Sequence, residues 1–417
     1  MSDVEPFGFS VRMELFVARQ PIFDEQLRVC AYEVLFRSGS QNAFDGTEEN
    51  TATAKVISAL FGSPDCENFT AGRPAFINFP RTMLVNDVAS VLPPENTVIE
   101  ILETVEADGM VVEACDRLRK LGYRLALDDF VPTAAPHPLV SLADILQVDF
   151  RLTSPEQQKS TAARFGGQLR LLAEKVETLE EFHRADQVGY EYFQGYFFAR
   201  PVITSVRQIR GWKLNYLRIL QELHHPELDF SKLTAMVKRE HALSYGLLRF
   251  VNSALFARRE PIESIHHALV FVGEEAARKW LLVVALLDLT ADKPAELAVN
   301  TLVRARFSEL LALAAGLQSQ SEDCFLMGMF SRLDAMLGRP LEELLDGLNL
   351  HEEITRALLD RPEAGDRLPA VWKIVQAYEG ADWDEVLPLA SDLEIEADLL
   401  SSSYTQALAW ADAIGHP

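Results

Sequence analysis

The chain is poor in several features that would otherwise assign it to a large class. Four cysteines (Cys30, Cys66, Cys115 and Cys324) are spread over 417 residues with no Cys-x-x-Cys pair. Disulfides and a structural zinc site are therefore not expected, and a reducing cytoplasm is the expected home. No stretch approaches the run of about 18 apolar residues that a membrane-spanning helix requires. Met1 to Val11 lacks the basic-then-apolar order of a secretory signal. Positive charge is also scarce: 39 Lys and Arg against 62 Asp and Glu give a formal net charge of −23. That balance disfavours non-specific binding to nucleic acid or anionic membrane. It does not disfavour a local basic pocket for a phosphorylated ligand.

What is present is ordinary globular material, 48% hydrophobic and 24% charged, in a chain long enough for more than one domain. From about Phe16 to Pro201, strand-like and helix-like pieces alternate. The pattern predicts strands over Leu15–Phe23, Val29–Phe36, Ala75–Phe79, Val98–Leu102, Arg124–Phe130, Ile145–Phe150, Leu169–Glu174 and Tyr192–Phe198. Helical stretches such as Asn50–Phe61, Asp108–Leu121 and Leu179–Gln187 lie between them, and Leu121-Gly122 and Val188-Gly189 read as helix stops. Repeated β-α alternation predicts a parallel sheet, and this many strands predicts an α/β barrel.

After Pro201 the periodicity is helical almost throughout, and an all-α domain is expected from Val206 to Gly415. Its predicted helices include one starting near Asp229 with Ser231 as N-cap. Others are Leu243–Ser253, Ser264–Val272, the nearly all-apolar Ala276–Leu289, Leu297–Leu317, Glu322–Leu337, Leu341–Leu348, Glu352–Asp360, Pro369–Glu379, Trp383–Leu389 and Glu396–Ala413. The boundary is expected between Pro201 and Trp212.

In a βα barrel the active site forms at the carboxyl ends of the strands. The residues at those ends are Glu33, Asn78, Glu100 with Glu103, the doublet Asp128-Asp129, Asp149, Glu174 and Gln194. Each is an oxygen donor that interrupts an apolar run. One such acid is commonly a cap or an ion-pair partner. Clustered carboxylates repel unless cations lie among them. An oxygen-only set without histidine suits Mg²⁺ or Mn²⁺ rather than zinc. Two such ions about 4 Å apart are a device for phosphodiester hydrolysis.

These stretches resemble the EAL domain, the cyclic di-GMP phosphodiesterase family, a variant TIM-type (β/α)₈ barrel. The resemblance rests on Arg19-Gln20-Pro21-Ile22-Phe23, on Glu33-Val34-Leu35-Phe36-Arg37 in place of the Glu-Ala-Leu signature, on Asn78, and on Glu100-Ile101-Leu102-Glu103. It continues through Leu127-Asp128-Asp129-Phe130, Val148-Asp149, Ala173-Glu174-Lys175-Val176-Glu177-Thr178, Gln194-Gly195-Tyr196 and Arg200-Pro201, over residues 14–203. It implies that Glu33, Asn78, Glu100 and Asp128 hold one metal, and that Asp128, Asp129 and Asp149 reach a second. Glu174 would orient or deprotonate the attacking water. Glu103 would steady the loop after Asp129. Gln20, Leu35, Arg37, Gln194 and Pro201 would hold the dinucleotide. A homodimer is also implied as a possibility.

Three departures bear on catalysis. Active members carry a lysine at the position of Gln147, and a neutral amide cannot stabilise negative charge developing on the attacked phosphate. The usually Gly-rich loop after Phe130 reads Val131-Pro132-Thr133-Ala134-Ala135-Pro136-His137-Pro138, and proline stiffens φ and removes donors. Lys175 stands where a glycine is usual. It would return the missing charge, but a strand neighbour of Glu174 is expected to point away. The expectation is a domain that binds cyclic di-GMP with weak or lost hydrolysis; the alternative is an active phosphodiesterase releasing 5′-pGpG.

In the second half, Leu247–Phe256 and Ile262–Gly273 resemble the HDOD domain, over residues 206–413. That resemblance implies an HD-type helical fold without its metal site. No His-Asp dipeptide occurs among the nine histidines. Adjacent helical residues diverge by about 100°, so His266 and His267 are read as a structural or surface pair. Asn252 and Ser253 are read as satisfying a helix end. This half is expected to be an interaction domain for an unidentified protein partner, giving a bacterial EAL–HDOD signalling protein.

Overall fold

The computed structural model describes residues 15–38, 69–131, 137–200, 211–223, 228–252, 262–346, 348, 350–363 and 365–415. The expected helix Asn50–Phe61, most of the proline-containing loop, Pro201 and the segment leading to Gly211 lie outside them.

Strands β1 (Leu15–Phe23), β2 (Val29–Ser38), β3 (Ala75–Phe79), β4 (Thr97–Ile101), β5 (Arg124–Leu127), β6 (Ile145–Asp149), β7 (Arg170–Glu174) and β8 (Tyr192–Gln194) close into a barrel in sequence order. Among the described residues the helices around it are α1 (Arg81–Val85), α2 (Gly109–Lys120), α3 (Pro155–Phe165) and α4 (Leu179–Val188). Ser154 and Thr178 start α3 and α4 with reciprocal capping boxes. Gly189 ends α4 at φ 102°.

The sheet is not wholly parallel, as the alternation predicted. β1 runs antiparallel to both β2 and β8. The link between β1 and β2 is too short for a parallel crossover, which takes a dozen or more residues. It is a tight turn in which the Asp24 carboxylate accepts from the N–H groups of Gln26 and Arg28, both at 2.9 Å, with Leu27 at φ 60°. Two strands end well before their predicted limits. β5 stops at Leu127 because Asp129 turns the backbone at φ 40°, and β8 stops at Gln194 because Gly195 lies at φ 138°. A Cβ on Gly195 would meet the Val176 carbonyl oxygen at 2.1 Å, so only glycine fits there.

The pleat sorts the barrel interior into two layers. Ile22, Ala31, Phe76, Val98, Ala126, Ile145 and Leu172 form an apolar cluster of their own. Two residues further towards the carboxyl ends of β2–β7 stand Glu33, Asn78, Glu100, Asp128, Gln147 and Glu174, and two from Ile22 on the antiparallel β1 stands Gln20. Side chains two apart share a face. The apolar plug and the polar layer are therefore one pattern, shifted by one step.

The second half is helical: α5 (Gly211–Leu223), α6 (Phe230–Val237), α7 (His241–Val251), α8 (Ile265–Val272), α9 (Glu274–Leu289), α10 (Ala295–Ala314), α11 (Ser321–Phe330), α12 (Leu333–Leu337), α13 (Leu341–Asp346), α14 (Glu352–Leu358), α15 (Leu368–Glu379), α16 (Trp383–Asp392) and α17 (Ala397–Gly415). The cap of α6 is Asp229 rather than Ser231. Its carboxylate accepts from the N–H groups of Ser231 and Lys232 at 2.9 and 3.0 Å. The single helix expected over Glu322–Leu337 is broken, because Arg332 leaves helical geometry at φ −125°.

The two halves share one hydrophobic cluster, which runs from Phe16 and Phe23 on the barrel to Phe307, Tyr378 and Ala411 on the helices. Phe16 packs on Trp383 with ring centroids 5.7 Å apart, and the Tyr378 hydroxyl donates to the Val17 carbonyl at 3.2 Å. Arg19 reaches outward from β1 and forms a bidentate pair with Asp412 of α17 at 2.9 and 2.7 Å. Its guanidinium also covers the Tyr32 ring at 4.2 Å, and the Tyr32 hydroxyl donates to Glu296 of α10 at 3.3 Å. Removing one partner of a buried pair strands the other charge. Asp412→Ala should therefore cost about 3 kcal/mol, measured by urea unfolding of the full chain. An unchanged unfolding midpoint would contradict a dependence of the seam on this pair.

Candidate functional site

The polar layer at the carboxyl ends of the strands is held together by direct bonds. Asn78 and Glu100 are register partners on β3 and β4, and Asp149 and Glu174 are partners on β6 and β7. Asn78 Nδ2 donates to Glu33 Oε1 at 3.2 Å, and Gln194 Nε2 donates to Glu33 Oε2 at 2.6 Å and to Gln20 Oε1 at 3.3 Å. Gln147 Nε2 donates to Glu100 Oε1. The expected residues thus form two bonded groups at the mouth of the barrel, Gln20–Gln194–Glu33–Asn78 and Gln147–Glu100, brought side by side by the Asn78–Glu100 register.

Three carboxylates converge beside it. Oxygens of Glu100, Asp128 and Glu174 all lie within 4.8 Å of one another, and Glu100 is only 1% exposed. Burial drives the Glu100 carboxyl well above its ordinary range, and repulsion from Glu33, Asp128 and Glu174 adds to it. Glu174 is raised well above its range by burial and then by Asp128, Glu33 and Asp129. Asp128 is pushed up to about 7 by burial and by Asp129, Glu33 and Glu103. Glu33 is raised by burial, against the bonds from Gln194 and Asn78.

The donor set fits a hard divalent cation. Asn78 Oδ1 and Glu100 Oε2 are buried with no hydrogen-bond partner, an arrangement that costs free energy unless something is coordinated there. Every available donor is oxygen, as Mg²⁺, Mn²⁺ and Ca²⁺ prefer.

Asp129 and Asp149 lie to one side, and between them is a residue whose placement differs from expectation. Lys175 does not point away. β7 ends at Glu174, and Lys175 takes a left-handed backbone at φ 52° that turns its side chain back over the site. Its ammonium donates to Asp149 Oδ2 and lies 3.9 Å from Asp129 Oδ1. The strand-alternation argument failed because it was applied one residue past the strand end. The signal in the sequence was the lysine itself, standing where a glycine, and hence a left-handed backbone, is usual. At the rim, Glu177 pairs with both Arg151 and Arg200, two cations to which the motif reading gave no role.

The remaining expected residues are peripheral or outside the description. Leu35, two residues beyond Glu33 on β2, is half-buried. Nothing is described of the Arg37 side chain, and Pro201 lies outside the described residues. Glu103 is exposed on the rim, where its charge opposes ionisation of Asp128 and Asp129; segment 132–136, part of the loop it was expected to steady, is likewise undescribed.

In the helical half, among the described residues, no cluster of His, Cys, Asp and Glu with metal-site geometry occurs. His266 and His267 are exposed on α8, and His266 Nδ1 lies 3.3 Å from the Thr234 hydroxyl. Asn252 exchanges two bonds with Ile262, at 2.9 and 2.8 Å, closing the end of α7. No helix among the described residues is long and apolar enough to cross a membrane.

Comparison with known proteins gives a consistent result. The EAL domain model matches residues 70–201 and the HDOD domain model matches residues 214–339. The first match begins after β2, so Gln20, Glu33, Leu35 and Arg37 fall outside it. The uncharacterized protein YuxH of Bacillus subtilis is 32% identical over 407 residues, covering 95% of this chain and 98% of that protein. The cyclic di-GMP phosphodiesterase CdgJ of Vibrio cholerae is 33% identical over 404 residues, covering 96% of this chain and 93% of that protein. Among solved structures, the calcium and cyclic di-GMP complex of Klebsiella pneumoniae BlrP1 is 25% identical, with a TM-score of 0.38, over 48% of this chain and 58% of that one.

The raised Asp128 carboxyl gives the site a pH signature. A carboxyl raised in the fold holds its proton more tightly than in the unfolded chain, so between 3.8 and about 7 its contribution lowers stability as pH rises. A divalent cation binds the ionised form and opposes that loss. Thermal melts should show stabilisation by Mg²⁺ or Mn²⁺ at about pH 8 and little at about pH 5. Asp128→Asn should abolish the stabilisation at pH 8; an equal response in that variant would contradict a cation at this cluster.

Proposed function

This chain belongs to the family of EAL–HDOD proteins, and on that premise we propose that its barrel binds cyclic di-GMP over a divalent cation and hydrolyses it slowly or not at all. The observation that carries the reading is the convergence of Glu100, Asp128 and Glu174 beside two buried, unpartnered oxygens. Glu33, Asn78, Glu100 and Asp128 would hold Mg²⁺ or Mn²⁺. Bound there, the ion would neutralise the carboxylates and polarise a phosphodiester oxygen. Gln20, Leu35 and Gln194, with Arg37 and Pro201, would hold the dinucleotide. Glu174 would orient the attacking water and take its proton. Asp149 would support the same end of the site.

Gln147 is the reason to expect slow turnover. It is buried, neutral and bonded to Glu100. Loss of one well-placed electrostatic donor typically costs about 10²–10³ in rate. The helical half would then act as an interaction domain for a protein partner. The coupling would run through β1, where Gln20 faces the ligand site and its neighbour Arg19 faces α17. Gln20 and Gln194 also line a small cavity closed by Asn300, Arg304 and Glu379, so a shift at the ligand would reach the helices directly.

A second reading, an active phosphodiesterase releasing 5′-pGpG, is favoured by one observation: the Lys175 ammonium lies among the carboxylates. The 33% identical relative CdgJ, named as a cyclic di-GMP phosphodiesterase, points the same way. Calorimetric titration with cyclic di-GMP in Ca²⁺ should show binding that EDTA removes, and its absence would refute the binding site. Chromatography of the products formed in Mg²⁺ or Mn²⁺ then separates the two readings. Turnover well below that of CdgJ, rising about tenfold or more in Gln147→Lys, supports the first. Turnover equal to that of CdgJ supports the second.

A further inference from the structure

We propose that Lys175 takes the place of a second divalent cation, so that the barrel holds one ion rather than two. The inference rests on the cation site proposed above and concerns only its stoichiometry. The resemblance places a second ion against Asp128, Asp129 and Asp149, and of these Asp129 and Asp149 are the two not shared with the first ion. The Lys175 ammonium lies between these two, bonded to Asp149 Oδ2 and 3.9 Å from Asp129 Oδ1. The other oxygen of Asp149 is also engaged, accepting from the N–H groups of Arg151 at 2.5 Å and Leu152 at 3.0 Å. Asp149 therefore has both oxygens committed to donors from the chain. Asp129 Oδ1 is buried without a hydrogen bond, and the ammonium is the positive charge that faces it.

The backbone points to the same assignment. A lysine at φ 52° adopts a conformation that costs an L-residue free energy and costs glycine none. Strand geometry does not require it, since β7 has already ended. What the conformation achieves is delivery of one positive charge into the gap between Asp129 and Asp149. A divalent ion entering that gap would have to displace the ammonium or lie beside it, and like charges at such distances repel strongly. A single charge on a flexible stem supplies neutralisation without demanding a fixed coordination number.

The test is a Mn²⁺ titration of the full chain, with free Mn²⁺ counted by electron paramagnetic resonance, for the native protein, Lys175→Gly and Lys175→Arg. The native protein and Lys175→Arg should each take one tight Mn²⁺. Lys175→Gly should take two, with a spin-coupled spectrum, its second ion bound about tenfold or more tighter than any second ion on the native chain. Lys175→Asn, which also tolerates the left-handed backbone, stands in if the glycine variant fails to fold. Two tight ions on the native protein, or one on the glycine and asparagine variants, would overturn the inference and leave the cation site standing. No tight ion on the native protein would overturn both.

Discussion

Mutual repulsion among buried carboxylates is the constraint on which the upper half of this barrel depends. Glu33, Glu100, Asp128 and Glu174 are placed on the interior face by the same two-residue step that places the apolar plug beneath them. Burial and one another's charge raise their carboxyl groups. A fold does not gain stability from such a cluster on its own, because each added charge raises the cost of the next. The surrounding amides relieve the strain only in part. Asn78, Gln147 and Gln194 each donate to one carboxylate and leave Asn78 Oδ1 and Glu100 Oε2 without partners. Positive charge is the remaining remedy, and the chain supplies one such charge itself, on Lys175.

The antiparallel β1 sets how this site relates to the rest of the molecule. Because side chains alternate between the two faces of a strand, successive residues along β1 serve two different surroundings. Gln20 joins the polar network at the barrel mouth, whereas Arg19 is buried against Asp412 and Tyr32. The helical half is thus packed directly on the strand that carries a residue of this polar layer, with a common hydrophobic cluster on both sides. An interface of that kind transmits a displacement by repacking rather than through a flexible tether.

Much of this was legible in the sequence, for identifiable reasons. Each strand from β2 on is a short apolar run interrupted near its carboxyl end by an oxygen-bearing side chain, and that pattern points to both the barrel and the polar layer. The reversal of β1 was also readable, from the short link between Phe23 and Val29, but repeated alternation suggested an all-parallel sheet. The cap of α6 was misplaced by two residues because Asp229 and Ser231 are both competent caps, and only the backbone geometry chooses between them. Lys175 was misjudged because alternation holds inside a strand and fails at its end, where one left-handed residue reverses the side chain. The seam between Arg19 and Asp412 had no local signal: the partners are 393 residues apart.

The central claim, that the carboxylate layer is a cation site whose second position is filled by Lys175, is tested most directly by anomalous diffraction from crystals grown with Mn²⁺ and cyclic di-GMP. The account predicts one strong manganese peak in contact with Asn78, Glu100 and Asp128, with the Lys175 side chain still between Asp129 and Asp149. A peak between Asp129 and Asp149, or none at the carboxylate cluster, would contradict it.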